Sequence, residues 1–370
     1  MRKAGLHEAI SRTAEEAGFA MVGFARVERL SERERFYSGW LIEGRHGMMG
    51  YLAREPERRL DPRLLDPRFR SVVSLAYPYA APQVPEVDWK AELRGRIAAY
   101  ALGSDYHDHV LKAARRVAAS LEALRPGAIT RVYVDTGPVF EREWAIRGGI
   151  GWMGKNTMLL NREHGSYFFL AEIFTDAEFD AAEAPYREHC GTCRRCLDLC
   201  PTGALGDGYM MEPRVCISYL TIENRGAIAR DLRKKIGMWL FGCDICQEVC
   251  PWNGGGVKDG DERLMPRLAE LMELDDEGFS RRFTKSAIKR AKRRGLLRNA
   301  AVVLGNTGNR DAVAVLARVM ENEREAIVRA HAAWALGELG GAAARRALES
   351  ARSRESDLSV LEEIKAAMAL

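Results

Sequence analysis

The residues best suited to chemistry in this chain of 370 residues are its eight cysteines, all of which fall between positions 190 and 250. They run Cys190-x2-Cys193-x2-Cys196-x3-Cys200-Pro201, then Cys216, then Cys243-x2-Cys246-x3-Cys250-Pro251. The second run repeats the first without its leading cysteine, whose place is taken by Leu240, a side chain that binds no metal. Thiolates are soft anionic ligands. Short C-x2-C loops point successive sulphurs into one pocket, and the following proline turns the chain away.

The spacing C-x2-C-x2-C-x3-C-P is that of bacterial ferredoxins, in which three thiolates hold one four-iron cluster and the fourth reaches across to a second. With Cys216 filling the gap, it assigns Cys190, Cys193, Cys196 and Cys250 to one 4Fe-4S cluster. Cys200, Cys216, Cys243 and Cys246 go to the other, and every cysteine is used once. Two zinc sites are the alternative, but zinc ribbons separate two C-x2-C pairs and do not add a third cysteine at x2 and a fourth at x3 before proline. Disulfides fit less well. Arg2 and Lys3 are followed by an amphipathic stretch broken by Glu8, Glu15 and Glu16, which is no secretory signal, and the expectation is a cytoplasmic chain whose crowded thiols are metal ligands.

A second candidate is Asp135, at the end of an expected strand (Arg131 to Val134) and beside Gly137 and Pro138. Open α/β sheets bind ligands at such strand ends, yet a turn or helix-capping carboxylate is an equally ordinary use of Asp there. Gly149-Ile-Gly151-Trp-Met-Gly154-Lys155-Asn156 satisfies G-x-G-x-x-G and nearly G-x4-G-K-[ST]. Both phosphate-loop readings fail, because a helical segment precedes the glycines, strand-like Met158 to Leu160 follows, and Asn156 replaces the hydroxyl residue. The glycines still let backbone approach a flat ligand closely. His107 and His109 do not share a helix face as an i, i+4 metal pair would, and are expected to be solvated or substrate-facing.

The elements that must carry these residues can be read from periodicity. Leu6, Ile10, Ala14 and Ala17 mark a first helix, Ala20 to Val27 a strand, and Ser31 caps a helical stretch through Trp40. Val72 to Tyr77 is a buried strand. A long helix opens at Ser104 or Asp105 with the stripe Val110, Leu111, Ala114, Val117, Leu121 and Leu124, and Pro126 ends it. Phe168, Phe169, Ile173 and Phe174 form a core strand. This mixture gives an α/β or α+β domain over residues 1–178, followed by a two-cluster module over 179–253. Past the Gly254-Gly255-Gly256 connection, Leu304-Gly305-Asn-Thr-Gly308 recurs 32 residues later as Leu336-Gly337-Glu-Leu-Gly340, which implies a short HEAT-like solenoid of two helix pairs over 254–370. Net charge is only +4, from 56 basic and 52 acidic residues, but Arg281 to Arg298 holds nine basic residues and no acidic one. Such density suits a polyanion, although a solvated helix face is its commonest use. No apolar run is long enough to span a bilayer.

Five stretches together carry a resemblance: Gly-Ser-Asp-Tyr-His (103–107), Val-Asp-Thr-Gly-Pro-Val-Phe-Glu-Arg (134–142), Gly-Ile-Gly-Trp-Met-Gly-Lys-Asn (149–156), Cys-Ile-Ser-Tyr-Leu-Thr-Ile-Glu (216–223) and Gly-Cys-Asp-Ile-Cys-Gln-Glu-Val-Cys-Pro-Trp-Asn (242–253). Over nearly its whole length the chain resembles the epoxyqueuosine reductases. The resemblance implies a cobalamin-binding domain of the nitroreductase and reductive-dehalogenase type, a ferredoxin-like module with two 4Fe-4S clusters, and a HEAT-like domain. It implies reduction of epoxyqueuosine to queuosine at the wobble position of tRNA, with electrons from an external donor, in a monomer. The family's proton donor falls on Asp135, and Phe140, Glu141 and Arg142 fall near the modified nucleoside. Corrinoid contacts are expected at Arg59, Asp135, Asn156, Thr157, Ser218, Cys243 and Asp244. Lys289, Arg290, Lys292, Arg293, Arg294 and Arg298 are the tRNA residues chosen on charge. To donate a proton, Asp135 should have a raised pKa. A two-cluster electron carrier without substrate chemistry is the competing function, and a zinc-bearing RNA-binding scaffold the third.

Overall fold

The computed structural model describes residues 3–81, 83–182, 187–254 and 261–369. Its N-terminal layer is built on a four-stranded sheet of β1 (Met21–Arg26), β2 (Ser71–Pro78), β3 (Thr130–Tyr133) and β4 (Phe168–Thr175), in the spatial order β1-β2-β4-β3. Every pairing is antiparallel, so of the two expected classes the domain is α+β. Asp135 therefore does not sit at the carboxyl edge of a parallel sheet. It follows an edge strand that runs against its neighbour.

The alternation of side chains along a strand decides which helices cover which face. Val73, Leu75, Ala171 and Ile173 point to one side and pack on Leu6, Ile10 and Ala14 of α1 (Lys3–Glu16) and on Val110, Ala114, Val117 and Leu121 of α2 (Tyr106–Leu124). Val72 and Phe174 point the other way, toward Trp144 of α3 (Glu141–Arg147). Ser74 and Glu172, directly opposite one another in the β2–β4 register, share this second face. Asp105 caps α2 by accepting the backbone N–H of His107 at 3.1 Å. Ser31, expected to be a cap, is instead the first residue of the helix Ser31–Ile42, because Leu30 takes the cap position without a side-chain bond.

The segment between Cys216 and Cys243 leaves the cysteine module and enters the core of the helical layer through Ile217, Leu220, Ile228, Ile236 and Trp239 to Phe241. Its strand Trp239–Phe241 pairs in parallel with Arg96–Ile97. Leu240, at the place of the missing cysteine, is fully buried there. One hydrophobic core thus crosses the sequence boundary at residue 254. Gly255 and Gly256 of the glycine connection lie outside the described residues.

Among the described residues, two short helices (Leu268–Met272 and Asp276–Arg282) lead into the five longer ones of the C-terminal layer: α4 (Lys292–Thr307), α5 (Ala312–Asn322), α6 (Ala326–Leu339), α7 (Gly341–Arg352) and α8 (Leu358–Ala367), more than the two pairs expected. The repeated Leu-Gly-x-x-Gly explains the stacking of α4, α6 and α8. A Cβ on Gly305 would stand 2.9 Å from the Ala335 Cα, and one on Gly337 would stand 2.8 Å from the Ala367 Cα, so only glycine permits these approaches. The second glycine of each repeat, Gly308 or Gly340, ends its helix at a positive φ of 65° or 62°. Among the described residues no helix is long and apolar enough to cross a membrane.

Candidate active site and metal centres

A cavity of about 220 Å³ is walled by Cys190, Cys193, Cys196 and Cys250, with Lys155 and Trp252 beside them. The other four thiols interact across the chain: Cys243 and Cys246 both with Cys216, and Cys246 also with Cys200 and with Cys196 of the first group. Burial makes Cys216, Cys243 and Cys246 resist ionisation, and their mutual repulsion adds to this, so such a set needs bound cations to hold it as thiolates. Among the described residues no three His, Cys, Asp or Glu side chains converge on a single-ion site. Thiols that ring a space suit a cluster filling it better than a lone tetrahedral zinc.

The glycine-rich stretch braces both cysteine runs. Lys155 Nζ donates to the carbonyls of Gly191 at 2.6 Å and Cys193 at 3.0 Å. Asn156 donates from Nδ2 to the Cys246 carbonyl at 3.2 Å while its Oδ1 accepts the Met158 N–H. A Cβ on Gly151 would lie 2.0 Å from the Leu160 carbonyl oxygen. This glycine is therefore spent on a tight hairpin between Trp152–Met153 and Leu159–Leu160, not on a flat ligand.

Asp135 emerges from β3 with a left-handed φ of 57°, and its side chain is 59% exposed to the cleft between the sheet and the helical layer. Its Oδ2 accepts the Tyr106 hydroxyl at 2.9 Å and His107 Nε2 at 3.2 Å. The other ring nitrogen of His107 lies 2.7 Å from Asp105 Oδ1. With a carboxylate at each nitrogen, the imidazole must carry a proton on both. Its hydrogen bond to Asp135 pushes its pKa up to about 9; burial opposes this and Asp105 assists. For Asp135 itself burial acts upward, but the bonds from His107 and Tyr106 outweigh it and hold the carboxyl below its usual range. The expectation of a raised Asp135 is thus reversed by these two neighbours. The resting proton lies on His107. Tyr106 is held by stacking on Phe169, centroids 4.2 Å apart and planes 4° from parallel.

The remaining expected residues fall in different settings. The Asp135 N–H donates to the Glu141 carboxylate, and Arg142 donates to the Thr157 carbonyl, closing the cleft wall. Phe140 packs inward, its ring edge-on to Tyr37 at 4.8 Å. Arg59 is buried, makes two long bonds of 3.3 Å to the Gly137 and Tyr51 carbonyls, and leaves Nε without a partner. Thr157, like Asp135, has a positive φ, here 61°. Ser218 is half-buried on the helix Ile217–Ile222 that follows Cys216. Asp244, next to Cys243, is buried and accepts the Ala99 N–H at 2.7 Å. Tyr106 and Glu172 were not assigned roles from the residues, and His107 only a solvated or substrate-facing one. The motif 103–107 was the available signal for Tyr106 and His107, and Glu172 stood unmarked inside an apolar strand.

The basic run divides. Lys289, Lys292 and Arg294 are exposed. Arg290 is bidentate to Glu223, at 2.8 and 3.0 Å, and lies 5.5 Å from the centre of the Tyr51 ring at the cleft rim. Two expected RNA contacts are corrected. Arg293 is turned inward and bidentate to Glu323, at 3.1 and 2.5 Å. Arg298, 1% exposed, donates to the carbonyls of Leu220, Asn224 and Gly226 at 2.6 to 2.8 Å. The helical period of α4 carries it into the core, out of reach of any phosphate.

Comparison with known proteins agrees with this layout. Residues 59–136 match the family model described as epoxyqueuosine reductase QueG, DUF1730. Residues 189–253 match a 4Fe-4S double cluster binding domain, and residues 282–369 match HEAT repeats. An epoxyqueuosine reductase of Pseudomonas aeruginosa is 40% identical over 342 residues, covering 90% of this chain and 94% of its own. One from Xanthomonas campestris is 39% identical, covering 90% and 95%. A crystal structure of an epoxyqueuosine reductase with a tRNA-Tyr epoxyqueuosine-modified stem loop superposes with a TM-score of 0.88 at 31% identity, covering 100% of this chain and 99% of that one. The chain belongs to the epoxyqueuosine reductase family.

Proposed function

We propose that this chain reduces epoxyqueuosine to queuosine at the wobble position of tRNA, with electrons from an external donor passing through two 4Fe-4S clusters to cobalamin. The observation that carries this reading is the position of Asp135. A carboxylate tied to a protonated histidine is left exposed and feels the charge of Arg290 from the basic run. One cluster is assigned to Cys190, Cys193, Cys196 and Cys250, the other to Cys200, Cys216, Cys243 and Cys246. A corrinoid suits the donors present: the orphaned Nε of Arg59 offers a hydrogen bond to a ring carboxamide, and Asn156, Thr157, Ser218, Cys243 and Asp244 are assigned as its other contacts. When bound, cobalamin supplies low-potential electrons at the carbon–oxygen bond.

The protein's own task is to hold the nucleoside and manage protons. The epoxide oxygen is a poor leaving group as an alkoxide, so protonation as its bond breaks lowers the barrier. Asp135 is the proton donor in this reading, refilled from His107 across their shared hydrogen bond. A substrate that fills the cleft removes water from Asp135 and raises its pKa toward that role. Glu141 and Arg142 border the nucleoside. Lys289, Arg290, Lys292 and Arg294 take the RNA backbone, with the protein a monomer in the cytoplasm.

The deciding experiment mixes anaerobically reduced, cobalamin-loaded protein with an epoxyqueuosine-containing anticodon stem loop and analyses the nucleosides. Queuosine is the expected product. Untouched epoxyqueuosine in the presence of intact clusters would leave only the electron-carrier reading.

A further inference from the structure

Glu172 lies in the middle of the central strand β4 and is fully buried, and neither of its carboxyl oxygens meets a hydrogen-bond donor among the described residues. Opposite it on β2, Ser74 is equally buried and its Oγ has no partner. An ionised carboxylate in such a place is costly. The acidic side chain that acts on it is Glu141, at the start of α3. Two carboxylates are both acceptors and repel, so this contact is a bond only when one of them carries a proton. Asp135, through its N–H, and Arg142 are the charged groups around the pair. Tyr106 faces it from α2, while β2 and β3 contribute Ser74 and Tyr133.

Removal of an epoxide oxygen breaks both of its carbon–oxygen bonds, forms a carbon–carbon double bond and releases water. The balance consumes two electrons and two protons. The electrons come from the external donor through the iron–sulphur clusters, but Asp135 delivers one proton at a time. We propose that Glu141 and Glu172 share a proton at neutral pH and form a store behind Asp135 that supplies the second one. Glu141, half-buried on the cleft wall, passes it to the departing oxygen to complete water. Glu172 acts through Glu141 and is a positioning residue. Consistent with this, burial and the charge of Asp135 push Glu141 up to about 7, and burial with the charge of Glu141 pushes Glu172 well above the carboxylate range.

The inference rests on the reductase reading, and its test separates the two. Infrared difference spectra of the holoprotein at neutral pH should show the C=O stretch of a protonated carboxyl, absent from Glu172→Gln and from Glu141→Gln. In single turnover of the reduced protein on the stem loop, Glu172→Gln should slow reduction about 10²-fold and flatten the alkaline limb of the pH profile, with stem-loop affinity unchanged. A wild-type spectrum without a protonated carboxyl at neutral pH overturns the shared proton whether or not the variants fold. A Glu172→Gln enzyme with wild-type rate and pH profile overturns the store. Failure of the wild-type protein to reduce the nucleoside would count against the reductase reading instead, since the infrared band does not depend on turnover.

Discussion

The sheet domain and the helical layer treat buried charge in opposite ways. In the helical layer the most deeply buried charges among the described residues are matched. Arg233 is bound by Glu363, Arg293 by Glu323 and Arg329 by Glu355, and Arg298 is satisfied by three backbone carbonyls. Around Asp135 the matching is incomplete: Glu172 and Arg59 Nε lack partners, and His107 is shared between two carboxylates. Full pairing fixes a structure, whereas groups left open keep protons mobile and donors free for a ligand. The same residue type thus means architecture in one layer and chemistry in the other.

The contrast breaks first at Asp135. Asp135→Asn should lower the single-turnover rate by about 10²- to 10⁴-fold with only a small fall in melting temperature from the lost His107 contact, and retained turnover would remove the acid. The opposite outcome is expected of Arg298→Met, which leaves three buried carbonyls unpaired. Denaturant unfolding should show a loss of about 3–5 kcal/mol, while stem-loop binding by the folded fraction is preserved. Replacing Lys289, Lys292 and Arg294 together by alanine should leave unfolding within about 0.5 kcal/mol and lower the slope of log affinity against log salt by about 2. An unchanged slope would move the RNA footprint elsewhere. The smallest effect is in pH. Because the folded pKa of His107 stands above its ordinary value of 6.5, its contact with Asp135 stabilises fully below that pH and is lost as pH rises toward about 9. His107→Gln should flatten stability in that window.

Much of this was legible in the residues, and the failures have physical causes. Cysteine spacing could suggest two thiol sets because one short loop carries Cys190, Cys193 and Cys196 and another carries Cys243 and Cys246. The 32-residue recurrence located Gly305 and Gly337 because close helix packing demands glycine at fixed intervals. The sheet order was not legible, since period-two alternation identifies a strand but not its neighbours. Arg298 was misjudged because a run of like charges was weighed as a block, when a helix distributes its members over all faces. Glu172 went unnoticed because one acidic residue among Phe168, Phe169, Ile173 and Phe174 looks like a solvent-side position until a helix covers that face.

The strand Trp239–Phe241 lies only two residues before Cys243, yet its side chains belong to the core beneath α4 and α6. Metal occupancy and the firmness of the RNA-facing layer are consequently linked quantities. Iron bound only by the folded chain adds its binding free energy to that core, and its loss subtracts the same amount. A cell short of iron would then lose more than electron flow: the starved chain would present a loosened solenoid to its proteases.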